Sequence, residues 1–373
     1  MSDIRVLVVD DSYFMRQAIS KILQSAGIEV VGEAKNGKEA VDLVSKLKPS
    51  IVTMDIEMPV MNGIDALKMI MKTHPVPVLM VSTLTSEGAD STIEALSNGA
   101  VDFITKKAGF KEMDSMKELL IEKVKSVGSN TSLSNHFIRK RLLNRMASKS
   151  KDSYKKAATH KIKPSAKESK FYINPKNRPN HYDISVIGIG VSTGGPPALH
   201  ELLSHIPSNL PVPILIVQHM PAFFTKSLAE RLDRASQLHV IEATDGDKLI
   251  SGTVYIGKGG MQMSVNNHKR ITITEEPKGE LFKPSVNVMI NSLVSAYGRN
   301  VLGVMMTGMG NDGYEGFREI DKQGGYIIVQ DPSTCIVSGM ASSVIDSKIA
   351  NEVRNIEGIA SSICNIFKIS YIN

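Results

Sequence analysis

Short apolar segments alternate with amphipathic segments in two long parts of this chain, and no other feature limits the possible folds as strongly. Before residue 125 the apolar segments have the composition of buried strands, and the segments between them have helical periodicity. The expected strands are 5–9, 29–34, 51–54, 78–82 and 102–104, and the expected helices are 14–26, 37–47, 63–73, 87–97 and 111–124. This succession predicts a doubly wound (βα)5 α/β fold, in which a parallel sheet lies between two layers of helices.

The alternation resumes after residue 182 and predicts a second α/β domain. The expected strands are 184–189, 214–218, 301–306 and 326–330, and the expected helices begin near residue 197 and cover 223–234, 285–297 and 313–323. Residues 240–274 contain shorter strand-like segments separated by glycine-rich turns. We therefore expect a mixed sheet in which most strands are parallel.

The positive charge of the chain is confined to the segment between these two parts. The whole sequence has a net charge of +6, whereas residues 1–124 carry −4, residues 125–181 carry +13 and residues 182–373 carry −3. The middle segment is rich in Lys and Ser, so we interpret it as a flexible linker extended by charge repulsion, with one short basic helix at 135–146. A docking surface for an anionic partner is the alternative.

Composition excludes several classes of protein. Hydrophobic residues make up 42% of the sequence, which is enough to bury substantial cores. No segment approaches the ~20 apolar residues of a membrane span, and the first residues do not resemble a signal peptide. Cys335 and Cys364 are too few for a disulfide framework, so we expect a cytoplasmic protein without membrane insertion. Because both folded parts are acidic and the linker has no helix-turn-helix pattern, we expect no nucleic-acid partner, with a DNA-binding regulator as the alternative.

Three aspartates stand at the carboxyl ends of the first and third expected strands. Asp10 and Asp11 follow the first strand and Asp55 follows the third. In a sheet of order 2-1-3-4-5 these strands are neighbours, so the carboxylates would lie together and would need a cation such as Mg²⁺. Lys106 could offset the charge of a phosphoryl group on Asp55, and Ser82 could hydrogen-bond a phosphoryl oxygen. The alternative is a set of helix caps and solvated loop acids.

Four motifs in this part of the chain resemble the receiver domain of response regulators along its full length. The motifs are VLVVDDS (6–12), TMDIEMPVMNG (53–63), VLMVSTLT (78–85) and GAVDFITK (99–106). The resemblance implies that Asp55 accepts a phosphoryl group and that Asp10 and Asp11 help to bind Mg²⁺. It also implies a histidine kinase as phosphodonor.

The same resemblance assigns the residues of a phosphorylation switch. Ser82 occupies the place of the switch hydroxyl, Phe103 that of the aromatic switch residue, and Lys106 that of the lysine in the phosphorylation site. Lys107 stands where the family usually has proline. Because a cis peptide bond before a residue other than proline is costly, the resemblance does not determine the shape of the loop around Lys106.

A second candidate site begins where the first strand after the linker ends. The sequence GVSTG (190–194) has the G-x-S-x-G spacing of a nucleophile elbow, with Ser192 on a tight turn between a strand and a helix. The N-terminus of that helix would offer backbone N–H groups to an oxyanion. A helix cap or an anion-binding loop is the alternative.

A serine nucleophile needs a base, and the base needs an orienting acid. His219 follows strand 214–218 and Asp312 follows strand 301–306, so both are expected at the same edge of the sheet as Ser192. Taken singly, His219 would be a packing histidine and Asp312 a helix N-cap. Weaker candidates are His200, His205, Asp245 and Asp247.

Glycines near Asp312 permit a tight backbone that could aim N–H groups at an oxyanion. They are Gly308, Gly310 and Gly313. A mononucleotide site is the competing interpretation of both glycine-rich loops, but neither loop has a P-loop lysine or the G-x-G-x-x-G pattern.

Five segments together resemble the catalytic domain of the chemotaxis protein-glutamate methylesterases, the CheB family. They are GVSTGGPPAL, VPILIVQHMPAFFTKSLAERLD, EATDGDKLISGTVYIGKGG, PSVNVMINSL and MMTGMGNDG. The resemblance implies Ser192 as nucleophile, His219 as base and Asp312 as orienting acid. It implies a backbone oxyanion role for Met309 and places Thr193 in the active-site loop.

The combined resemblance implies a phosphorylation-activated hydrolase. Its substrates would be glutamate γ-methyl esters, and also glutamines, on the cytoplasmic helices of methyl-accepting chemoreceptors, with a chemotaxis histidine kinase as phosphodonor. We expect ester hydrolysis to need no cofactor. Because a switch module is fused to an esterase, we also expect the receiver domain to block the catalytic face until Asp55 is phosphorylated. Gln262 and Asn287 stand where the family often has His and Asp, and we expect neither to touch the triad. A phospho-dependent scaffold with an inactive esterase domain is the alternative.

Overall fold

The structure is a computed structural model that describes residues 4–106, 110–130 and 183–372, with side chains described from residue 116 in the middle range. We refer to residues 4–106 and 110–130 as the N-terminal unit and to residues 183–372 as the C-terminal unit. Most of the basic segment, its expected helix at 135–146 and Lys107 lie outside the described residues. Within the described ranges, no helix is both long and apolar enough to cross a membrane.

The N-terminal unit contains the five strands and five helices that the sequence predicts. The strands are β1 (Arg5–Val9), β2 (Glu29–Ala34), β3 (Ile51–Asp55), β4 (Val78–Thr83) and β5 (Asp102–Lys106). The helices are α1 (Tyr13–Ser25), α2 (Gly37–Leu47), α3 (Gly63–Thr73), α4 (Ser86–Ser97) and α5 (Phe110–Gly128). The sheet order β2-β1-β3-β4-β5 is confirmed, and β1 pairs in parallel with both β2 and β3.

Side-chain caps fix the starts of three helices in this unit. Ser12, Asn36 and Asn62 each accept a hydrogen bond from a backbone N–H of the first turn of α1, α2 and α3, respectively. Such caps satisfy amide groups that have no partner within the helix. Because Ser12 and Asn62 follow the acidic strand ends closely in sequence, the caps also fix the loops of the aspartate site.

The C-terminal unit is built on a seven-stranded sheet. Its strands are β6 (Val186–Val191), β7 (Ile214–Gln218), β8 (His239–Glu242), β9 (Thr253–Ile256), β12 (Val301–Met305), β13 (Tyr326–Gln330) and β14 (Glu352–Arg354). Its helices are α6 (Gly195–Ser204), α7 (Phe224–Ala235), α8 (Val286–Tyr297), α9 (Tyr314–Gln323), α10 (Gly339–Asp346) and α11 (Ile356–Phe367). The order is β14-β13-β12-β6-β7-β9-β8, and all pairs are parallel.

The expectation that the main sheet contains both parallel and antiparallel strands is wrong. The antiparallel strands β10 (Gln262–Val265) and β11 (Ile271–Thr274) form a separate two-stranded sheet. The seven strands of the main sheet are therefore all parallel, because the antiparallel pair does not belong to it. Purely parallel sheets need helices on both faces, and the fully buried β6, β7, β12 and β13 agree with that arrangement.

The chain leaves the central strand β6 toward one side of the sheet and later returns to the other side at β12. The boundary between β6 and β12 is therefore a topological switch point, where ligands of open α/β sheets usually bind. Gly190 on β6 lets α8 approach closely, because a Cβ there would lie 2.5 Å from Cγ1 of Val286. This approach brings the N-terminus of α8 to the switch point.

Candidate active site

The backbone of Ser192 is held on both sides at the carboxyl end of β6. Its N–H donates to the carbonyl of Thr307 at 2.9 Å. Its carbonyl accepts from the N–H of Gly195 at 2.8 Å and from Nε2 of Gln218 at 3.0 Å. Gly194 turns the chain into α6 at a φ of +80°, a conformation that favours glycine. The predicted strand–turn–helix context of Ser192 is thus present.

His219 follows β7 and lies between the other two members of the predicted triad. Its Nδ1 is 3.1 Å from Oγ of Ser192, and its Nε2 is 2.7 Å from Oδ2 of Asp312. Phe282 stacks on the imidazole with ring centroids 4.2 Å apart and planes inclined by 4°. Contacts at both nitrogens and on one face hold the orientation of the ring.

Asp312 is buried at the N-terminus of α8. Its Oδ2 accepts the N–H of Val286 at 2.7 Å, and its Oδ1 accepts Oγ–H of Ser285 at 3.0 Å and the N–H of Asn287 at 3.1 Å. Burial alone would raise the pKa of this carboxyl, but the hydrogen bond and charge of His219 and the backbone amides lower the pKa below its ordinary value. The carboxylate therefore stays ionised beside the imidazole.

The ionised Asp312 determines which nitrogen of His219 carries the proton. A carboxylate only accepts hydrogen bonds, so Nε2 of His219 donates to it. In the neutral ring Nδ1 then has the free lone pair, and it accepts the hydroxyl proton of Ser192. The geometry provides a general base, Nδ1, within reach of a serine hydroxyl.

The first turn of α6 offers fewer backbone donors than the sequence suggested. Pro196 and Pro197 have no N–H, and the N–H of Gly195 is bonded to the carbonyl of Ser192. Donors to an oxyanion in this loop would have to come from Thr193 and Gly194, which precede the helix. The expectation that the helix itself supplies them is therefore wrong.

The loop after β12 lies directly against Ser192. A Cβ on Gly308 would be 3.0 Å from Cβ of Ser192, so this stretch of backbone and the serine are in contact. Met309 follows in the same loop and is half-buried. Oγ1 of Thr307 donates to the carbonyl of Thr193 at 2.8 Å and joins the two loops.

Two buried glutamines that the sequence analysis did not single out hold these loops. Nε2 of Gln218 donates to the carbonyls of Ser192 and His219 at 3.0 and 3.1 Å. Oε1 of Gln330 accepts the N–H of Thr307 at 2.9 Å. Each glutamine is the last residue of a buried strand, and a polar residue in that position was the available signal.

The positions at which the chain departs from the family pattern lie closer to the triad than expected. The backbone N–H of Asn287 contacts Asp312 directly, and its Oδ1 accepts the N–H of Gly316 at 2.9 Å. Gln262 is fully buried and hydrogen-bonds the segment that contains Phe282 and Ser285. The expectation that neither residue touches the triad is wrong for Asn287.

The weaker candidates have local structural contacts instead. His200 is exposed on α6, and Nδ1–H of His205 donates to the carbonyl of Ile372 at 2.8 Å. Oδ1 of Asp245 accepts the N–H of Ile273 at 3.0 Å, and Oδ2 of Asp247 accepts that of Thr244 at 2.8 Å. These contacts stabilise turns and the chain terminus.

The N-terminal unit has a second polar cluster at its own switch point, between β1 and β3. Asp10, Asp11 and Asp55 each offer a carboxylate oxygen, and these oxygens lie within 4.8 Å of one another. Nζ of Lys106 lies 3.0 Å from Oδ2 of Asp10 and 2.8 Å from Oδ2 of Asp55. The structure thus brings together the three aspartates and the lysine that the sequence pointed to.

The donor set of this cluster fits Mg²⁺. Its ligands are hard carboxylate oxygens, and Oδ2 of the fully buried Asp10 has an ion-pair contact but no aligned hydrogen bond. Burial raises the pKa of Asp55 to about 6, against the opposing effect of Lys106. A cation beside Asp55 would favour its ionised form.

Ser82 and Phe103, the two residues that the resemblance assigns to a switch, are buried. Oγ of Ser82 donates to the carbonyl of Gly88 at 3.2 Å and accepts Oγ1–H of Thr92 at 2.7 Å, so it faces α4. Phe103 is 6% exposed, and Nζ of Lys123 lies 5.7 Å from the centre of its ring. A phosphoryl group could reach the serine hydroxyl only if that hydroxyl changed partners.

Comparisons with known proteins cover both units. The family model described as CheB methylesterase matches residues 187–363, and that described as response regulator receiver domain matches residues 6–118. A Lawsonia intracellularis protein named protein-glutamate methylesterase/protein-glutamine glutaminase is 41% identical over 372 residues, which cover 97% of this chain and 98% of that protein. An Archaeoglobus fulgidus protein of the same name is also 41% identical, and the match covers 98% of each chain.

The chain is also similar to a solved structure over about half of its length. The crystal structure of the Thermotoga maritima CheB methylesterase catalytic domain is 36% identical, with a TM-score of 0.47, and the match covers 49% of this chain and 98% of that chain.

Proposed function

The chain belongs to the protein-glutamate methylesterase/protein-glutamine glutaminase family, and we propose that Ser192, His219 and Asp312 are the residues that carry out its hydrolytic reaction. The observation that supports this assignment is the continuous hydrogen-bonded series from the hydroxyl through the imidazole to the carboxylate, with contacts of 3.1 and 2.7 Å. These distances match those expected for a nucleophile, its base and an orienting acid.

The reaction starts with attack on the ester carbonyl of a methylated glutamate. Nδ1 of His219 takes the hydroxyl proton while Oγ of Ser192 bonds to the carbonyl carbon, which becomes tetrahedral. Asp312 stabilises the resulting imidazolium through its contact with Nε2–H. We assign the oxyanion to backbone N–H groups of the Thr193 and Met309 loops, which lie against Ser192.

Collapse of the tetrahedral intermediate breaks the bond to the methoxy oxygen. The imidazolium gives its proton to that oxygen, methanol leaves, and the glutamyl group remains bound to Ser192 as an ester. Water then gives a proton to Nδ1 and attacks the acyl carbon, which releases glutamate and restores the serine hydroxyl. A glutamine side chain follows the same route with ammonia as leaving group.

The first test replaces the nucleophile. Ser192→Ala should lower the rate of methanol release from methylated chemoreceptor membranes by about 10³-fold or more, because it removes the attacking oxygen. Ser251→Ala changes an exposed serine of the same unit and is the matched control. A near-normal rate for the Ser192 variant would exclude the assignment.

In the N-terminal unit, Asp55 is the proposed phospho-acceptor. Asp10, Asp11 and Asp55 would hold Mg²⁺, which would shield the negative charges that meet during phosphoryl transfer. Lys106 already contacts Asp10 and Asp55 and would pair with the phosphoryl oxygens. Ser82 and Phe103 would form the switch that responds to the new charge.

The family supports a specific biological setting for this reaction. A chemotaxis histidine kinase would supply the phosphoryl group, and the substrates would be cytoplasmic helices of methyl-accepting chemoreceptors, so the enzyme would act in the cytoplasm. We assign residues 1–124 to the receiver domain, 125–181 to the basic linker and 182–373 to the catalytic domain. Phosphorylation of Asp55 would raise the rate of ester hydrolysis.

A further inference from the structure

One buried side chain joins the residue that packs on His219 to the residue that hydrogen-bonds Asp312. The amide of Gln262, at the start of β10, is fully buried. Its Nε2 donates to the carbonyl of Phe282 at 2.8 Å, and its Oε1 accepts the N–H of Ser285 at 2.8 Å. A carbonyl can only accept and an N–H can only donate, so the orientation of the amide is fixed.

The first end of this bridge supports the imidazole. The ring of Phe282 stacks on that of His219 with centroids 4.2 Å apart. A hydrogen bond to the carbonyl of Phe282 restrains the backbone from which that ring extends. The position of the aromatic surface against the base therefore depends on Nε2 of Gln262.

The second end supports the acid. Ser285 is buried at the N-cap of α8, and its Oγ–H donates to Oδ1 of Asp312 at 3.0 Å. The next N–H along the chain, that of Val286, donates to Oδ2 at 2.7 Å. By holding the N–H of Ser285, Oε1 of Gln262 restrains the residue at which this carboxylate-binding turn begins.

We propose that Gln262 is a positioning residue for the hydrolytic reaction, an assignment that rests on the proposed roles of His219 and Asp312. Its amide keeps the Phe282 ring and the Ser285 hydroxyl at a fixed separation, so that the imidazole and its carboxylate stay aligned with Ser192. Its side-chain hydrogen bonds go to Phe282 and Ser285 rather than to these three residues, and it is closed off from solvent, so we expect no contact with substrate.

Loss of this amide would affect the chemical step more than substrate binding. Without it a buried carbonyl and a buried N–H lack their partner, and the segment between them shifts to find others. Displacements of about 1 Å in a catalytic group reduce rates on the order of 100-fold. We therefore expect kcat to fall and KM to stay nearly constant.

The test compares three variants of the full-length enzyme on methylated receptor membranes. Gln262→Met keeps the size of the side chain but removes both hydrogen bonds, and should lower kcat about 10- to 100-fold. Met263→Leu changes the next residue of the same strand, which is also fully buried, and should leave kcat nearly unchanged. Unfolding midpoints of both variants show whether the fold is retained.

Gln262→His supplies a readout that a merely structural role would not change. A neutral imidazole has one donor and one acceptor and can replace the amide, so this variant should be more active than Gln262→Met at pH 8. A protonated imidazole has no acceptor for the N–H of Ser285, so the activity relative to wild type should fall as the pH drops through about 6.5. This pH profile decides the question even if Gln262→Met does not fold.

Two outcomes would overturn the proposal while leaving the proposed function intact. One is a Gln262→Met enzyme whose kcat equals that of Met263→Leu, and the other is a Gln262→His enzyme whose pH profile matches the wild type. Failure of the proposed function has a different signature, because Ser192→Ala would then retain its activity in the same assay.

Discussion

The carboxylate of Asp312 accepts hydrogen bonds from an imidazole, a hydroxyl and two backbone amides. Burial raises its pKa, but the hydrogen bond and charge of His219 together with the two amides lower the pKa below its ordinary value. The two amides belong to the first turn of α8. Asp312 therefore interacts with the positive end of that helix as well as with His219. The N-cap of α9, the helix that follows Asp312, is instead Gly313, so the alternative in which Asp312 caps that helix is not seen.

Replacement of this carboxylate should impair catalysis strongly. Asp312→Asn removes the charge that stabilises the imidazolium, and its amide can donate to Nε2 and so favour the wrong tautomer of His219. We expect kcat to fall on the order of 10³- to 10⁴-fold in the methanol-release assay. Asp247→Asn, at a half-buried position in a turn, should retain normal turnover, and an equal loss in both variants would contradict this role.

Phe223 is held in a backbone conformation that bulky residues rarely adopt. Its φ is +75°, and its side chain is 57% exposed, so little packing offsets the strain. Phe223→Gly should therefore raise the free energy of unfolding by about 1 kcal/mol. In urea denaturation, Phe223→Ala should show no such gain, because alanine keeps the strain, and a gain of equal size in both variants would contradict the explanation.

At the scale of secondary structure elements, local sequence signals determined how much could be predicted. The bounds of β1, β2, α2 and α3 agree with the expectation to the residue, because strong apolar runs end at capping residues such as Asn36 and Asn62. No elements are predicted beyond residue 330. There α10 spans two turns and β14 only three residues, which is too short for either periodicity to appear. In contrast, α11 has twelve residues and an apolar face that begins after the capping residue Asn355, so its sequence carried a usable signal that was missed.

Local sequence signals also explain why part of the candidate site could be predicted. Ser192, His219 and Asp312 each follow a buried strand, so parallel topology brings their positions to one edge of the sheet. Other residues that hold them in place, such as Phe282 and Ser285, act through contacts between segments distant in sequence. Such contacts leave no local pattern.

The raised pKa of Asp55, at the end of β3, predicts that Mg²⁺ binding to the N-terminal unit depends on pH. Burial raises the pKa of Asp55 to about 6, so the metal-free site is partly protonated below neutral pH. A protonated carboxyl is a poor ligand for Mg²⁺, and proton and ion therefore compete. Mg²⁺ affinity, measured by calorimetry, should rise from pH 5 to pH 7 and level off above pH 7.

An asparagine at the same position is the control. Asp55→Asn keeps Asp10 and Asp11 but removes the titrating group, so most of the rise in affinity between pH 5 and pH 7 should disappear. If the Mg²⁺ affinity of this variant still showed the full pH dependence, a group other than Asp55 would be its cause.

At the scale of the whole molecule, the two units follow one topological rule with different chemistry. In each sheet the polar cluster lies where the strand order reverses, between β1 and β3 in the first and between β6 and β12 in the second. The first cluster gathers anionic ligands around a lysine, and the second gathers a hydroxyl, an imidazole and a carboxylate. The net charge of +6 reflects neither site, because residues 125–181 alone carry +13.

We propose that this one chain couples phosphorylation at Asp55 to ester hydrolysis at Ser192. The most direct test of this proposal is methanol release from methylated receptor membranes by the full-length wild type, Ser192→Ala and Asp55→Asn, each with and without a small-molecule phosphodonor and Mg²⁺. We predict stimulation of the wild type only, unstimulated turnover in Asp55→Asn and no turnover in Ser192→Ala. Turnover that survives in Ser192→Ala, or equal stimulation of Asp55→Asn and wild type, would contradict the account.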